Sequence, residues 1–400
     1  MRNFSDLISM IANTKLGIGG GFLVVITGTL MLISNERDFK MTDDAIKEAE
    51  SVVVKIADVN TLDDVLDGKL VYGVSTIQTD EIVEDKPFDV AVNAIKLTRK
   101  LEYYQWVEIE HKETYEDSDG NTETVYSYTY EKKWTNAPVN SSKFNNSRYR
   151  SSNWVITQID SLTKWADVVN WGAYKLPHFL KKEAGGDRPV TINLSNESKA
   201  KLEQQLAKDA TSLTAPALVK SESKEYVHHI RVNALHFGLD PSNPTISDIR
   251  VEITHIPPGG DLSVIAQVQG NTFTEYITEN GRAFYSVHNG IDSMEKMFID
   301  EHNNNSTNAW ATRIMYIMCV ILGIRFALKP IERLFSRVRF LSSIVNVGVK
   351  FVSTMLGLAW SLIVIALAWL FYRPVTALII FASVVVIILL LKKMGNKRAF

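Results

Sequence analysis

"LAWLFYRPVTALII", residues 367–380, sets one arginine and one proline in the middle of residues 351–391, which hold no other charged side chain. Phe351 to Tyr372 is 22 residues long and Pro374 to Leu391 is 18. A helix crossing the ~30 Å hydrocarbon core needs about 20 apolar residues, so each half is long enough to cross alone. Trp369, Phe371 and Tyr372 then form an aromatic belt at the end of one span. Arg373 reaches the lipid headgroups. Pro374 opens the next helix, where its missing N–H has no partner to lose. The alternative is that Arg373 is a buried functional charge.

Two further stretches have the same character. Leu16 to Asn35 holds 20 uncharged residues between Lys15 and Glu36, and residues 309–328 are apolar except for Arg313 and Arg325. The four stretches predict a multi-pass α-helical membrane protein. Lys and Arg total 43 and Asp and Glu 45, but the charges are segregated. Outside residues 36–308 stand 14 basic residues and only two acidic ones, Asp6 and Glu332. Short basic loops stay cytosolic. The predicted order is therefore a cytosolic N-terminus (1–15), span one (16–35), a large acidic exported domain (36–308) and span two (309–328). A basic cytosolic connection (329–350), span three (351–372), span four (374–391) and a basic cytosolic C-terminus (392–400) follow. No small-residue cleavage site follows the first span, so it reads as an uncleaved signal anchor.

The exported domain reads as mixed α/β. Lys69–Thr79, Asp248–Ile256, Leu262–Gln269 and Thr272–Thr278 have strand composition. Leu101–His111 and Glu123–Trp134 flank "DSDGN" (117–121), a hairpin signal in which Asp-Gly tolerates positive φ. Tyr126, Tyr128 and Tyr130 place one aromatic face on that hairpin. Thr42–Ser51 reads as a short capped helix. Asn153–Leu180 has helical spacing at Ile156, Ile159, Leu162, Ala166 and Val169. Ser198–Ala210 and Ile291–His302 read as helices too. In the 329–350 connection, Ile331, Leu334, Phe335, Val338, Leu341 and Val345 share a helical face opposite Arg333 and Arg337. That suits an interfacial helix drawn to anionic lipid, with a plain basic loop as the alternative.

Chemistry is hard to find. The eight histidines lack metal-site spacing, and Cys319 is the single cysteine, so no cofactor or metal site is expected. Asp117, Asp119 and Asn121 lack the offsets of a calcium loop. "GIGGG" (17–21) lies inside a span, not after a strand, and is no dinucleotide fingerprint. Gly17 and Gly21 instead give the G-x-x-x-G spacing that admits a close helix neighbour. Arg313 and Arg325 read as boundary anchors that snorkel to opposite interfaces, with an ion or lipid-headgroup role as the alternative.

Several segments together resemble the transmembrane protein 43 (LUMA) family. They are Asn35-Glu36 after the first span, and "AIKLTRKLEYYQWVE" (94–108) through Lys96, Leu97, Arg99, Glu102, Tyr104, Gln105, Trp106 and Glu108. "YSY", Trp134 and "NSSKF", then "DIRV", "VIAQVQG", "SMEKMF" with Glu301, Trp310, Arg313 and "WLFYRP" follow in order. Arg37 stands where the family has glycine, and "NNSRYRSSNW" lacks the family's His-x-Asn-Pro. The resemblance implies a four-span protein with both termini cytosolic, a domain in the endoplasmic reticulum or nuclear envelope lumen, and self-association. It implies organisation of membrane protein complexes, with emerin and lamins as partners at the inner nuclear membrane. In a bacterial relative the domain is periplasmic and those two partners do not carry over.

The expected function is a non-enzymatic membrane scaffold that binds lipids, itself and other membrane proteins, and no nucleic acid. The alternatives are a cation channel or channel-modulating subunit, for which Glu36 and the acidic domain speak, and an envelope- or lipid-acting enzyme using His228, His229 or Asp248. The expected interaction or structural positions are Asn35, Glu36, Tyr104, Gln105, Trp106, Arg250, Arg373 and Pro374, with Gly17 and Gly21 for helix packing. Trp106 is read as core in preference to interface.

Overall fold

The computed structural model describes residues 4–116, 122–157, 159–212, 225–335 and 339–375, together with 378, 379 and 382. Side-chain surroundings are described outside 4–17, 114–123, 207–212 and 330–346. Three helices dominate one end of the molecule: α1 (Phe4–Val52), and two from the C-terminal part of the chain. Between them lies a domain built mainly from strands, ten of which make up most of its two large sheets. They are β1 (Leu70–Gln78), β2 (Lys96–Glu116), β3 (Thr122–Thr135), β4 (Leu162–Trp165), β5 (Val227–Arg231) and β6 (Ala234–Phe237). β7 (Ile249–Ile256), β8 (Asp261–Gln269), β9 (Thr272–Thr274) and β10 (Ser286–Asn289) complete them. A helix α2 (Asn196–Ser212) lies within the domain, and α3 (Met294–Phe335) and α4 (Arg339–Tyr372) follow it.

Three of these helices are long and apolar enough to cross a membrane, within residues 18–52, 294–329 and 347–372. The predicted fourth span falls mostly outside the described residues. Where it is described, at 374–375, 378–379 and 382, the backbone is helical. The "DSDGN" turn also lies outside them, as do the side chains of the predicted interfacial helix. The backbone of that connection is helical up to Phe335 and again from Arg339.

Among the described residues, beside two small two-stranded sheets, Ile82–Asp85 with Val90–Asn93 and Tyr276–Ile277 with Ala283–Phe284, the domain has two seven-stranded sheets. One runs β9-β8-β1 and then through the short strands 170–171 and 174–175, with β10 on β8. The other runs β5-β6-β7-β2-β3, with β4 on β2. Burial explains the composition of each. β7 alternates buried Ile249, Val251 and Ile253 with partly exposed Arg250, Glu252 and Thr254, as expected of a sheet with one wet face. β8 has a continuous buried run from Leu262 to Ala266. Its Leu262, Val264, Ala266 and Val268 face the core between the sheets, whereas Ile265 faces the other way. There it meets Ile46 and Ala49 of α1 and Met297 and Phe298 of α3. The first sheet is therefore covered on both sides, and the layers are helix pair, sheet, sheet.

Trp171 anchors the main core. It is fully buried, its Nε1–H donates to Leu262 O at 2.9 Å, and its ring meets Phe273 edge-on at 5.7 Å. A Cβ on Gly73 would lie 2.6 Å from that indole, which is why the middle of β1 holds a glycine.

Two expectations fail here. Asn153–Leu180 is not a helix: it contains β4, the short strands at 170–171 and 174–175, and one short helical turn, His178–Lys181. Its backbone is committed to the sheets. Leu162–Trp165 pair with Lys96–Arg99, Ala166 N–H donates to Ile95 O, and Gly172 turns at φ +60°. The apolar spacing arises because Ile156, Ala166 and Val169 are each buried separately. Thr42–Ser51 is helical but not a separate capped helix. It is the last part of α1, in which Asp43 and Asp44 pair with Lys47 and Lys40 one turn away and do not cap.

Candidate functional site: a buried charge junction between the helices and the domain

α1 and α3 run without a break from the apolar segments into the domain. For α3 this means helix through "HNNNSTN" (302–308), residues of weak helix propensity. The compensation is tertiary. Asn305 Nδ2 donates to Phe39 O at 3.1 Å, and Asn35 Nδ2 donates to Ala309 O at 3.2 Å. The Thr312 hydroxyl donates to Asn35 Oδ1. Short polar side chains thus stitch α1 to α3 where apolar packing gives way to polar surroundings. A cleft of about 310 Å³ lies beside this seam, lined by Asn35, Asp38, Phe39, Thr42, Glu301 and Ala309 among others.

Within the seam, one residue on from Asn35 and from Thr312, is an ion pair. Glu36 is 1% exposed and Arg313 3%. Arg313 grips the carboxylate with two N–H groups, Nε to Oε1 at 2.5 Å and Nη2 to Oε2 at 2.7 Å. Trp369 of α4 donates its indole N–H to Oε2 at 2.8 Å. One carboxylate therefore gathers a group from each of the other two long helices. The Arg313 guanidinium also lies 4.8 Å from the Trp310 ring centre and 5.3 Å from that of Phe39, and Arg373 stacks on Phe39 at 3.9 Å.

This corrects one expectation. Arg313 is no snorkelling anchor: its guanidinium is buried and paired with a carboxylate. The Arg373 backbone N–H donates to Trp369 O, and its guanidinium lies over Phe39. Pro374 follows as an exposed residue where the helical backbone resumes. Arg325 is half-buried, and Cys319 is a partly buried thiol within α3.

Gly21 lies deeper, where α1 crosses α3. A Cβ there would sit 2.5 Å from Ala327 N and 2.7 Å from Gly323 O, both backbone atoms that cannot yield alone. The partner helix therefore belongs to the same chain. Gly17 has a helical backbone, and its surroundings lie outside the described residues. Gly20 meets nothing within 4 Å. Gly21→Leu is expected to push α1 off α3 and destabilise the bundle by at least about 1–3 kcal/mol, whereas Gly20→Leu leaves it unchanged. Thermal unfolding in lipid discs distinguishes them, and equal melting temperatures would contradict this crossing.

The remaining expected positions form a separate group on the second sheet. Gln105 is 1% exposed. Its Nε2 donates to Trp154 O at 3.2 Å, and its Oε1 accepts from Val139 N–H at 2.5 Å. Asn153 holds the Trp106 backbone from both sides, accepting its N–H and donating to its carbonyl at 2.8 Å each. The half-buried Trp106 ring packs on Tyr149 at 4.8 Å, under the Lys132 ammonium. Tyr104 and Arg250 converge on Trp134, at 5.2 and 3.9 Å. Beneath them His236 faces Asp248 at 3.2 Å, both fully buried, and Asp248 also accepts from Thr245. Asp248 is thereby held in a closed structural cluster, while the adjacent His228 and His229 lie on β5.

Sequence reasoning missed Phe39 and the inward role of Trp369. The available signal was that Glu36 and Arg313 are opposite charges at the same end of two neighbouring spans.

A family model described as Transmembrane protein 43 matches residues 103–374. The chain is 26% identical to Transmembrane protein 43 of Rattus norvegicus, covering 92% of this chain and 88% of that protein. It is 25% identical to that of Homo sapiens, over 93% and 88%. It is 26% identical to the Transmembrane protein 43 homolog of Drosophila melanogaster, over 89% and 88%. No solved structure matches.

Proposed function

The chain belongs to the transmembrane protein 43 family, and from that premise we propose that it is a non-enzymatic membrane scaffold whose domain and membrane helices act as one rigid body. The observation that carries this reading is the junction. Glu36, Arg313 and Trp369 fasten three helices together at the point where two of them enter the domain. A load or a bound partner on the domain is then transmitted to the helices without an intervening hinge. Four spans with both termini cytosolic complete the proposal, and place the acidic domain in the endoplasmic reticulum or nuclear envelope lumen, or in the periplasm of a bacterial host. The partners are membrane lipids, further copies of this chain and other membrane proteins, emerin- and lamin-like ones only where a nuclear envelope exists.

The cation-channel reading loses its best residue, since the Glu36 carboxylate is occupied by Arg313 and Trp369. The enzyme reading loses Asp248, which is sealed in the second sheet with His236.

Extraction in native lipid patches, followed by mass measurement and identification of co-purifying proteins, tests the scaffold. A discrete homo-oligomer or a complex of fixed stoichiometry is expected. A bare monomer without reproducible partners would overturn it, and ion flux through sealed vesicles of pure protein would replace it with the channel.

A further inference from the structure

At the far end of α3 from the membrane segment, three potential metal ligands converge. His288 lies on β10, one residue before its end, Asp292 stands two residues before α3, and Asp300 lies nearly two turns along that helix. His288 Nδ1 is 2.9 Å from Asp292 Oδ2 and 4.0 Å from Asp300 Oδ2, and one donor atom from each residue lies within 4.8 Å of the others. Ligands around a tetrahedral zinc ion stand about 3.3 Å apart, given metal–ligand distances of ~2.0–2.2 Å. The cluster brackets that spacing, so small rotamer changes close it.

The backbone under the cluster is fixed. Asp292 N–H donates to Ser263 Oγ at 2.9 Å, and Asp292 O accepts from the Tyr72 hydroxyl at 2.7 Å. His288 is paired in register with Ser263 of β8, and the same serine hydroxyl donates to Gly290 O at 2.8 Å. Two of the ligands thus come from a turn clamped to the sheet, and the third from a long helix. Lys296 donates to Asp292 Oδ1 at 2.6 Å, the oxygen facing away from this pairing. It orients the carboxylate, as outer-shell partners of metal ligands do, and helps hold the Asp292 carboxyl below its usual range. With His288 neutral, Lys296 balances one of the two carboxylates and leaves one negative charge. The side chains are 19%, 19% and 41% exposed, so an ion can enter from solvent.

We propose that His288, Asp292 and Asp300 form a binding site for a divalent transition metal, zinc in the first instance, with water at the remaining position. One imidazole and two carboxylates suit zinc; calcium takes six to eight oxygen ligands and has no use for the nitrogen. The bound ion ties β10 to α3, reinforcing the contact that the Ser286 hydroxyl makes by donating to Glu301 Oε1 at 2.7 Å. It therefore strengthens the attachment of the domain to a membrane-crossing helix.

The test uses the full chain in lipid discs, stripped with a chelator and titrated with zinc chloride by calorimetry. One saturable equivalent is expected, undisturbed by millimolar calcium. His288→Gln and Asp300→Asn are each expected to weaken it at least about tenfold. Cobalt(II) in place of zinc is expected to give visible absorption that disappears in His288→Gln. Metal-free melting temperatures report whether each variant folds, and the exposed Asp300 is the safer of the two. Absence of saturable binding, or equal affinity in the wild type and a folded Asp300→Asn, overturns the site. Displacement of zinc by calcium overturns the choice of metal.

Discussion

Glu36→Gln lowers the stability of the full chain by about 3–5 kcal/mol, the usual result of removing one partner of a buried ion pair. The side chain keeps its shape and can still accept from Trp369, so the loss isolates the charge. What remains is a guanidinium with 3% exposure, no carboxylate, and a second arginine against the same Phe39 ring. Arg313→Met alone is similarly costly, because it leaves Glu36 with only the indole donor. The double variant Glu36→Gln/Arg313→Met restores much of the loss, since no unpaired buried charge survives. Thermal unfolding in lipid discs gives the cycle. Strictly additive losses would mean that the two side chains are not coupled. The wild-type melting temperature is also expected to be nearly independent of salt, as screening acts weakly on a buried pair.

Trp171→Ala lowers domain stability by about 3–5 kcal/mol, by cavity formation and loss of burial together. The indole is fully buried, fills the space above Gly73 and supplies a donor to Leu262 O. Little can collapse into the gap, because Gly73 has no side chain to rotate into it. At ~2–4 °C per kcal/mol for a domain of this general size, the melting temperature falls by about 6–20 °C. Trp171→Phe keeps a ring but loses the N–H, and falls between the two. Unchanged melting of the alanine variant would contradict the placement of this residue at the centre of the inter-sheet core.

Much of the fold is legible in the sequence, because it is written in long or alternating patterns. The apolar stretches around Leu16–Asn35 and Phe351–Tyr372 announce membrane helices by length alone. Ile249–Ile256 announces a half-buried strand by alternation. The Tyr126, Tyr128 and Tyr130 ladder announces the hairpin, and in the structure Tyr128 and Tyr130 donate to Glu110 and Glu108 across it. Asn153–Leu180 defeats the same method. Its apolar residues are spaced for a helix, but its hydrogen bonds go to Ile95, the Lys96–Arg99 strand and the edge of β1. Such commitments join residues 63 to 94 positions apart, and no local window contains them.

The junction is legible only in halves. Asn35 and Glu36 stand out by following a span, and Arg313 and Arg373 by interrupting oil. Pairing Glu36 with Arg313 needs the crossing of α1 over α3, and that crossing is set by Gly21 against Gly323 deep in the bundle. With the crossing known, the two charges fall at one level and the pair follows. Asn35, Asn305 and Thr312 illustrate the same limit: as single residues they argue against a helix, and as a seam between two helices they sustain one.

Hydrogen exchange on the full chain in lipid discs, read by mass spectrometry, tests the rigid junction most directly. Slow exchange is expected for the amides of residues 36–46 and 302–313, as slow as in the buried strands β7 and β8, with marked acceleration in Glu36→Gln. Fast exchange at 36–42 or 302–308 in the wild type would mean that α1 and α3 break on leaving the membrane, and that the domain hangs from a hinge.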